Sequence, residues 1–190
     1  GIGFKKDIAN AIKFFTLSAD QGDDRAQYNL ALIYHNGKDV KQNIHKAIGL
    51  YSQSANQGNA SAQYNLALCY MKGNGVEKNI SKAIELYILS AKQGDNLAQY
   101  NLAILYQKGE GVPKNTSKAV ELFTLSANQG YDNAQNNLAL CYENGEGVEI
   151  NIYKAIELYS LAAKQGNEMA IKNLNRIKSA DQSNKKDEPK

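Results

Sequence analysis

The sequence predicts an all-α fold, an α/α solenoid of stacked helical hairpins, and three observations carry the prediction. Near copies recur every 36 residues without insertion: Gly22, Gly58, Gly94, Gly130 and Gly166 each follow a Gln at that interval, and Leu30, Leu66, Leu102, Leu138 and Leu174 keep the same register. Each period holds two apolar stripes at helical spacing. Glycine and asparagine fall where one helix must end and the next begin.

Taken in order, residues 1–22 are a partial repeat, a loop and a second helix, because "GIGFKKDIANAIKFF" aligns with "GNGVEKNISKAIELY" at Gly73. The chain lacks an initiator Met and opens inside a repeat, which suggests a fragment of a longer protein. Its N-terminal end, without a first helix, is then a candidate surface for self-association. Four full repeats follow, at 23–58, 59–94, 95–130 and 131–166. In the first of them Ala26, Leu30, Ile33 and Tyr34 share one face, giving a helix over about Asp24 to His35 that Gly37 ends. The loop "GNGV" or "GEGV" supplies residues able to take positive φ. Asn43, Asn79, Asn115 and Asn151 then stand where an N-cap is wanted. A second helix carries Ala47, Ile48, Leu50, Tyr51 and Ala55, with Gly58 at its C-terminal cap. Neither helix of such a hairpin can bury its stripe alone, so neighbouring hairpins must stack. Residues 167–178 read as a lone capping helix, since Lys178 stands where the previous repeat has Tyr142 and Asn175 where it has Ala139. The polar 179–190, with Pro189, read as a disordered tail, which leaves 1–178 as one solenoid domain.

Composition narrows the function classes. With 43% apolar and 22% charged residues the chain can bury a core, and no apolar run approaches the roughly 20 residues that span a bilayer. The net charge of +3 is too balanced to argue for nucleic acid or an anionic membrane. Cys69 and Cys141 occupy the same place in two repeats, each between Leu and Tyr on a helical pattern, and read as small core residues. Two repeats of stacked helices hold them beyond disulfide reach, so the compartment stays open.

The repeated pattern resembles the Sel-one-like repeat (SLR) family, a relative of the tetratricopeptide repeat. The residues that carry the resemblance are Ala62, Asn65, Leu66, Ala67, Tyr70, Gly73, Gly75, Val76, Asn79, Lys82, Ala83, Tyr87, Ala91, Gln93 and Gly94, with their counterparts over about residues 1–178. There are departures. Ala31, Ala67, Ala103 and Ala139 stand where the family often has Gly, and among the loop ends only Asp7 is the family's Asp. Asp39 replaces the second loop glycine of the first full repeat, where a local adjustment is expected. The resemblance implies a right-handed α/α superhelix and a scaffold or adaptor that binds proteins or peptides. A disulfide-rich branch of the family is associated with penicillin binding, but its paired cysteines are missing here, so that activity does not transfer.

No constellation of catalytic residues appears. "GNGV" lacks the GK(S/T) and the strand-to-helix turn of a phosphate loop. His35 and His45 have no ligand-spaced partners, which leaves no metal or cofactor site, and both read as solvated. No nucleophile elbow or recurring pair of carboxylates is present. The sequence therefore points away from an enzyme. Lys82 and Glu85, Lys118 and Glu121, and Lys154 and Glu157 read as solvated helix-surface pairs. The sequons at Asn59, Asn79 and Asn115 read as chance in an Asn-rich chain. The recurring tyrosines read as core with a hydroxyl at the edge, in preference to a platform for bases.

One recurring residue is not explained by core packing. Asn29, Asn65, Asn101, Asn137 and Asn173 lie about 100° from the centre of the first-helix core face. Each heads a stripe whose other members vary: Arg25, Leu32 and Asn36; Ser61, Leu68 and Lys72; Leu97, Ile104 and Lys108; Asn133, Leu140 and Asn144; Met169 and Arg176. If first helices line the concave side, as the resemblance implies, this ladder can pair with the amides of an extended peptide while its neighbours read side chains. The cations Arg25, Lys72, Lys108 and Arg176 then favour an acidic segment or a free C-terminal carboxylate. The alternative is that each Asn only braces adjoining repeats. Gln27, Gln63, Gln99 and Gln135 point about 160° away and read as braces. An RNA-binding helical repeat is the other functional reading, disfavoured by the weak basic bias, and no nucleic acid is expected as partner.

Overall fold

The computed structural model describes residues 8–38 and 40–184; Asp7 and Asp39, on which loop readings rested, lie outside the described residues, as do 185–190 of the tail. Among the described residues there are ten helices and no strand: α1 (Ile8–Asp20), α2 (Asp24–Asn36), α3 (Ile44–Asn56), α4 (Ala60–Lys72), α5 (Ile80–Lys92), α6 (Asn96–Lys108), α7 (Thr116–Asn128), α8 (Asp132–Asn144), α9 (Ile152–Lys164) and α10 (Glu168–Asn184). The fold is the all-α helical-hairpin repeat read from the sequence. The expected elements are present, with α2 one residue longer than its apolar pattern.

Asparagine starts the second helices as expected. Asn43, Asn79, Asn115 and Asn151 each accept the N–H of the residue three further on, from Lys46, Lys82, Lys118 and Lys154, at 2.9–3.0 Å. First helices end on a glycine in the left-handed region: the Gly73 N–H bonds to Cys69 O at φ +69°. At the other end of the hairpin Gln57 holds the cap and Gly58, at φ +95°, follows it. The capping helix α10 runs to Asn184, past the expected end at 178. No Gly or Pro interrupts 179–184, and the Ser179 hydroxyl folds back onto Asn175 O within the helix.

The chain divides into two blocks, Gly1–Asp95 and Asn96–Lys190. In the first, α1 to α5 pack in succession, each on the next. One core joins Ala31, Ala47, Tyr51 and Ala55 of one repeat to Ala62 and Leu66 of the following one. In the second, α6 to α10 pack likewise, with Ala119, Phe123 and Ala127 meeting Ala134, Leu138 and Cys141. Burying each stripe across a repeat boundary makes neighbouring hairpins depend on each other.

Candidate functional site

Asn137 and Asn173 of the asparagine ladder do different work from Asn65. All five asparagines are half-buried on first helices. In the second block Asn137 Nδ2 donates to the Tyr100 hydroxyl at 3.4 Å, and Asn137 Oδ1 accepts from Asn136 Nδ2 at 3.2 Å. Asn173 Nδ2 donates to Asn136 Oδ1 at 3.2 Å, so these rungs tie one first helix to the next. In the first block Asn65 Nδ2 donates to Ser61 O of its own helix at 2.9 Å, and Asn65 Oδ1 has no donor among the described residues.

Three members of the α4 stripe border one cavity. Asn65, Leu68 and Lys72 line a cavity of about 110 Å³, together with His35 from α2, Cys69 and Asn74. Ser61, the fourth member, lies outside its lining. Lys72 is exposed with no ion-pair partner among the described residues, as are Arg25 and Lys108. Arg176 differs: its guanidinium pairs with Glu143 at 2.5 Å, and that hydrogen bond holds its pKa up. It is therefore spent inside the molecule. Burial pushes the Cys69 thiol up, with Lys72 opposing, so Cys69 is a neutral wall of the cavity.

His35 is not solvated. It is half-buried, edge-on to Tyr51 with ring centroids 5.8 Å apart, and its Nδ1 is buried without a hydrogen-bond partner. The hydroxyl of Tyr51, itself fully buried, also lacks one. His45 is exposed. Among the described residues no group of three or more His, Cys, Asp or Glu is placed to hold a metal ion.

Gln27, Gln63 and Gln135 brace the repeats as read. Each sends Nε2 back to a carbonyl of the preceding second helix, Ala19, Ala55 or Ala127, at 3.2–3.3 Å. Each accepts from Gln57, Gln93 or Gln165 ahead at 2.8–2.9 Å. Two further ladders escaped sequence reasoning. Buried Ser54, Ser90 and Ser126 donate to Asp24 O, Ala60 O and Asn96 O, joining the helices of a hairpin. Lys46, Lys82, Lys118 and Lys154 stand over the rings of Tyr34, Tyr70, Tyr106 and Tyr142 at 4.3–5.4 Å, where for the last three lysines helix-surface pairs with glutamates were expected. Their signal was the in-phase recurrence of Lys and Tyr; the 12-residue separation across a hairpin hid their contact. The sequons resolve as structural: Asn59 caps α4 and donates to Asp24, while Asn79 and Asn115 are caps.

Fold and site together define a helical-repeat protein whose first-helix faces carry polar, cation-bearing stripes. The Sel1 repeat profile matches residues 1–23, 24–59, 60–95, 96–131 and 132–167, and the chain belongs to the Sel1 repeat family. Its members are commonly protein-interaction scaffolds. Two solved structures are similar to the chain at 32% identity. One is a protective antigen of uropathogenic Escherichia coli strains with an SLR fold, TM-score 0.85, covering 89% of this chain and 36% of that one. The other is a Sel1 repeat protein from Oxalobacter formigenes, TM-score 0.83, covering 92% of this chain and 70% of that one. The chain thus spans about a third of the antigen's length. An immunity protein of Pseudomonas aeruginosa shares the fold at 24% identity and TM-score 0.55, covering 84% of this chain and 59% of that one. Among curated proteins no sequence match was found.

Proposed function

We propose that the chain is a non-enzymatic interaction scaffold that binds an extended peptide or partner segment along the stripes of its first helices, with a preference for acidic or C-terminal carboxylate groups. The observation that supports this best is the cavity on α4. It gathers Asn65, Leu68 and Lys72 of one predicted stripe, contains no acidic side chain, and offers an amide oxygen and an ammonium without partners among the described residues. An extended chain exposes amides that such an oxygen can accept from, and Lys72 supplies the charge preference. Within the ladder Asn65 and the cations Arg25, Lys72 and Lys108 are the binding members. Asn137, Asn173 and Arg176 serve the repeats themselves.

The test compares affinity with stability. Fluorescence anisotropy with a labelled acidic decapeptide and its lysine-substituted counterpart should show tighter binding of the acidic one. Asn65→Ala and Lys72→Ala should each weaken it several-fold. Neither should move the melting temperature by more than the equivalent of about 0.5 kcal/mol, because neither side chain bridges two repeats. Equal affinity for the two peptides would sink the reading, as would a fall in binding that merely tracks melting.

A further inference from the structure

The last complete repeat shows what another side chain does at the position of His35. Three repeats further on, Glu143 stands at the position of His35, Tyr159 at that of Tyr51 and Arg176 at that of Leu68. There the Tyr159 hydroxyl donates to Glu143 Oε2 at 2.8 Å, and Arg176 pairs with Glu143 Oε1. A carboxylate from the chain satisfies the buried phenol and takes a cation. In the first full repeat the same positions hold His35 and Tyr51, whose Nδ1 and hydroxyl are both buried without partners. Leu68 replaces the guanidinium and lines the cavity together with the exposed Lys72.

We propose that this cavity binds a carboxylate from the partner, supplied as an acidic side chain or a chain terminus, with His35 donating to it and Lys72 pairing with it. The inference rests on the peptide-binding reading above and names the chemistry at one place within it. Buried polar groups are normally paired, and the cavity is lined by a histidine whose Nδ1 has no partner. A carboxylate is the group that the chain itself places among the equivalent side chains. None of the six lining residues is acidic. Two helix-end carbonyls of lining residues are already satisfied: His35 O accepts from Gln42 Nε2 at 2.7 Å, and Cys69 O accepts the N–H groups of Gly73 and Asn74. Lys72 is the one charged group in the lining, and its sign suits the ligand.

Acetate alone is the first probe, followed on the nitrogen resonances of the His35 ring. Three peptides of one backbone sequence come next: a blocked neutral one, one with a single internal Glu and blocked ends, and one with a free C-terminus. Acetate should move the His35 signals saturably, and at least one carboxylate peptide should bind roughly tenfold tighter than the blocked one, the value of a hydrogen bond to a charged group. Which of the two gains identifies the source. His35→Glu should place the carboxylate in the chain, raise the melting temperature and erase the gain. His35→Leu should erase the gain without the added stability, and serves if the first variant misfolds. Static His35 signals with acetate and both carboxylate peptides, or an undiminished gain in either variant, would overturn the proposal. If the blocked peptide binds through Asn65 while carboxylates add nothing, the cavity inference alone fails. If acetate moves His35 and no peptide binds, the peptide reading fails instead.

Discussion

Ser126 is completely buried and its hydroxyl donates to Asn96 O at 2.8 Å, one hydrogen bond holding α7 to the start of α6. Ser126→Ala should cost about 1 kcal/mol, the net worth of one such bond. Ala162 occupies the equivalent position two helices later in the same block, which shows that the site accepts a methyl group. Gln135→Ala should cost more, about 2–3 kcal/mol, because it strands Gln165 as well as losing the bond to Ala127 O and leaves a void. Melting curves of the two variants check the order; for a chain of this size each kcal/mol is about 2–4 °C. An inverted order would mean that the glutamine ladder carries little load. The glutamine role was legible because one residue type recurs on a fixed angular position away from the core. The serine role was not, since the substitution by Ala162 blurs its recurrence and its acceptor is a backbone carbonyl 30 residues away. The asparagine ladder was legible as a ladder, but its division between bracing and open rungs was not, since Tyr28 stands before Asn65 as Tyr100 stands before Asn137 and the sequence offers both the same partner. Tyr100 and Asn136 are partners for Asn137 and Asn173 in the second block, whereas Asn65 turns to its own helix.

The loop between α8 and α9 depends on a glycine that lets it approach the previous repeat. A Cβ on Gly147 would lie 2.4 Å from the carbonyl carbon of Thr116 and 2.7 Å from Ser117 N, at the start of α7. Backbone on both sides cannot yield, and φ of +75° adds strain for any L side chain. Gly130, at φ +88°, has open space where its Cβ would stand. Gly147→Ala should therefore cost about 3–5 kcal/mol, conformational strain plus overpacking, against about 1–2 kcal/mol of strain alone for Gly130→Ala. Chemical denaturation of the two variants checks this, and equal losses would show that the loop relaxes away from α7. Cap and loop positions were readable in advance because turn chemistry is local. The length of α10 was not, since a polar segment without Gly or Pro is compatible with either tail or helix.

At the scale of the whole molecule the repeats share one alkaline weakness. The stability of the chain follows from its repeated core. Burial pushes the phenols of Tyr51, Tyr87 and Tyr159 upward, for Tyr159 with a further contribution from Glu143. Burial also carries the Cys141 thiol from 9.0 to about 11. Each folded value lies above the unfolded one, so the folded chain keeps protons that the unfolded chain gives up. That stability is complete below about pH 9 and drains as pH rises through the folded values. Because each core crosses a repeat boundary, ionising one phenol should loosen neighbouring hairpins, and helicity should fall in one cooperative step above about pH 10, the ordinary phenol value. Phe123 already fills the homologous position in one repeat, fully buried and without a hydroxyl. The variant Tyr51→Phe, Tyr87→Phe, Tyr159→Phe should accordingly move the alkaline midpoint of far-ultraviolet circular dichroism to higher pH. An unchanged midpoint would assign the transition to lysine deprotonation and the loss of the four Lys–Tyr ring contacts.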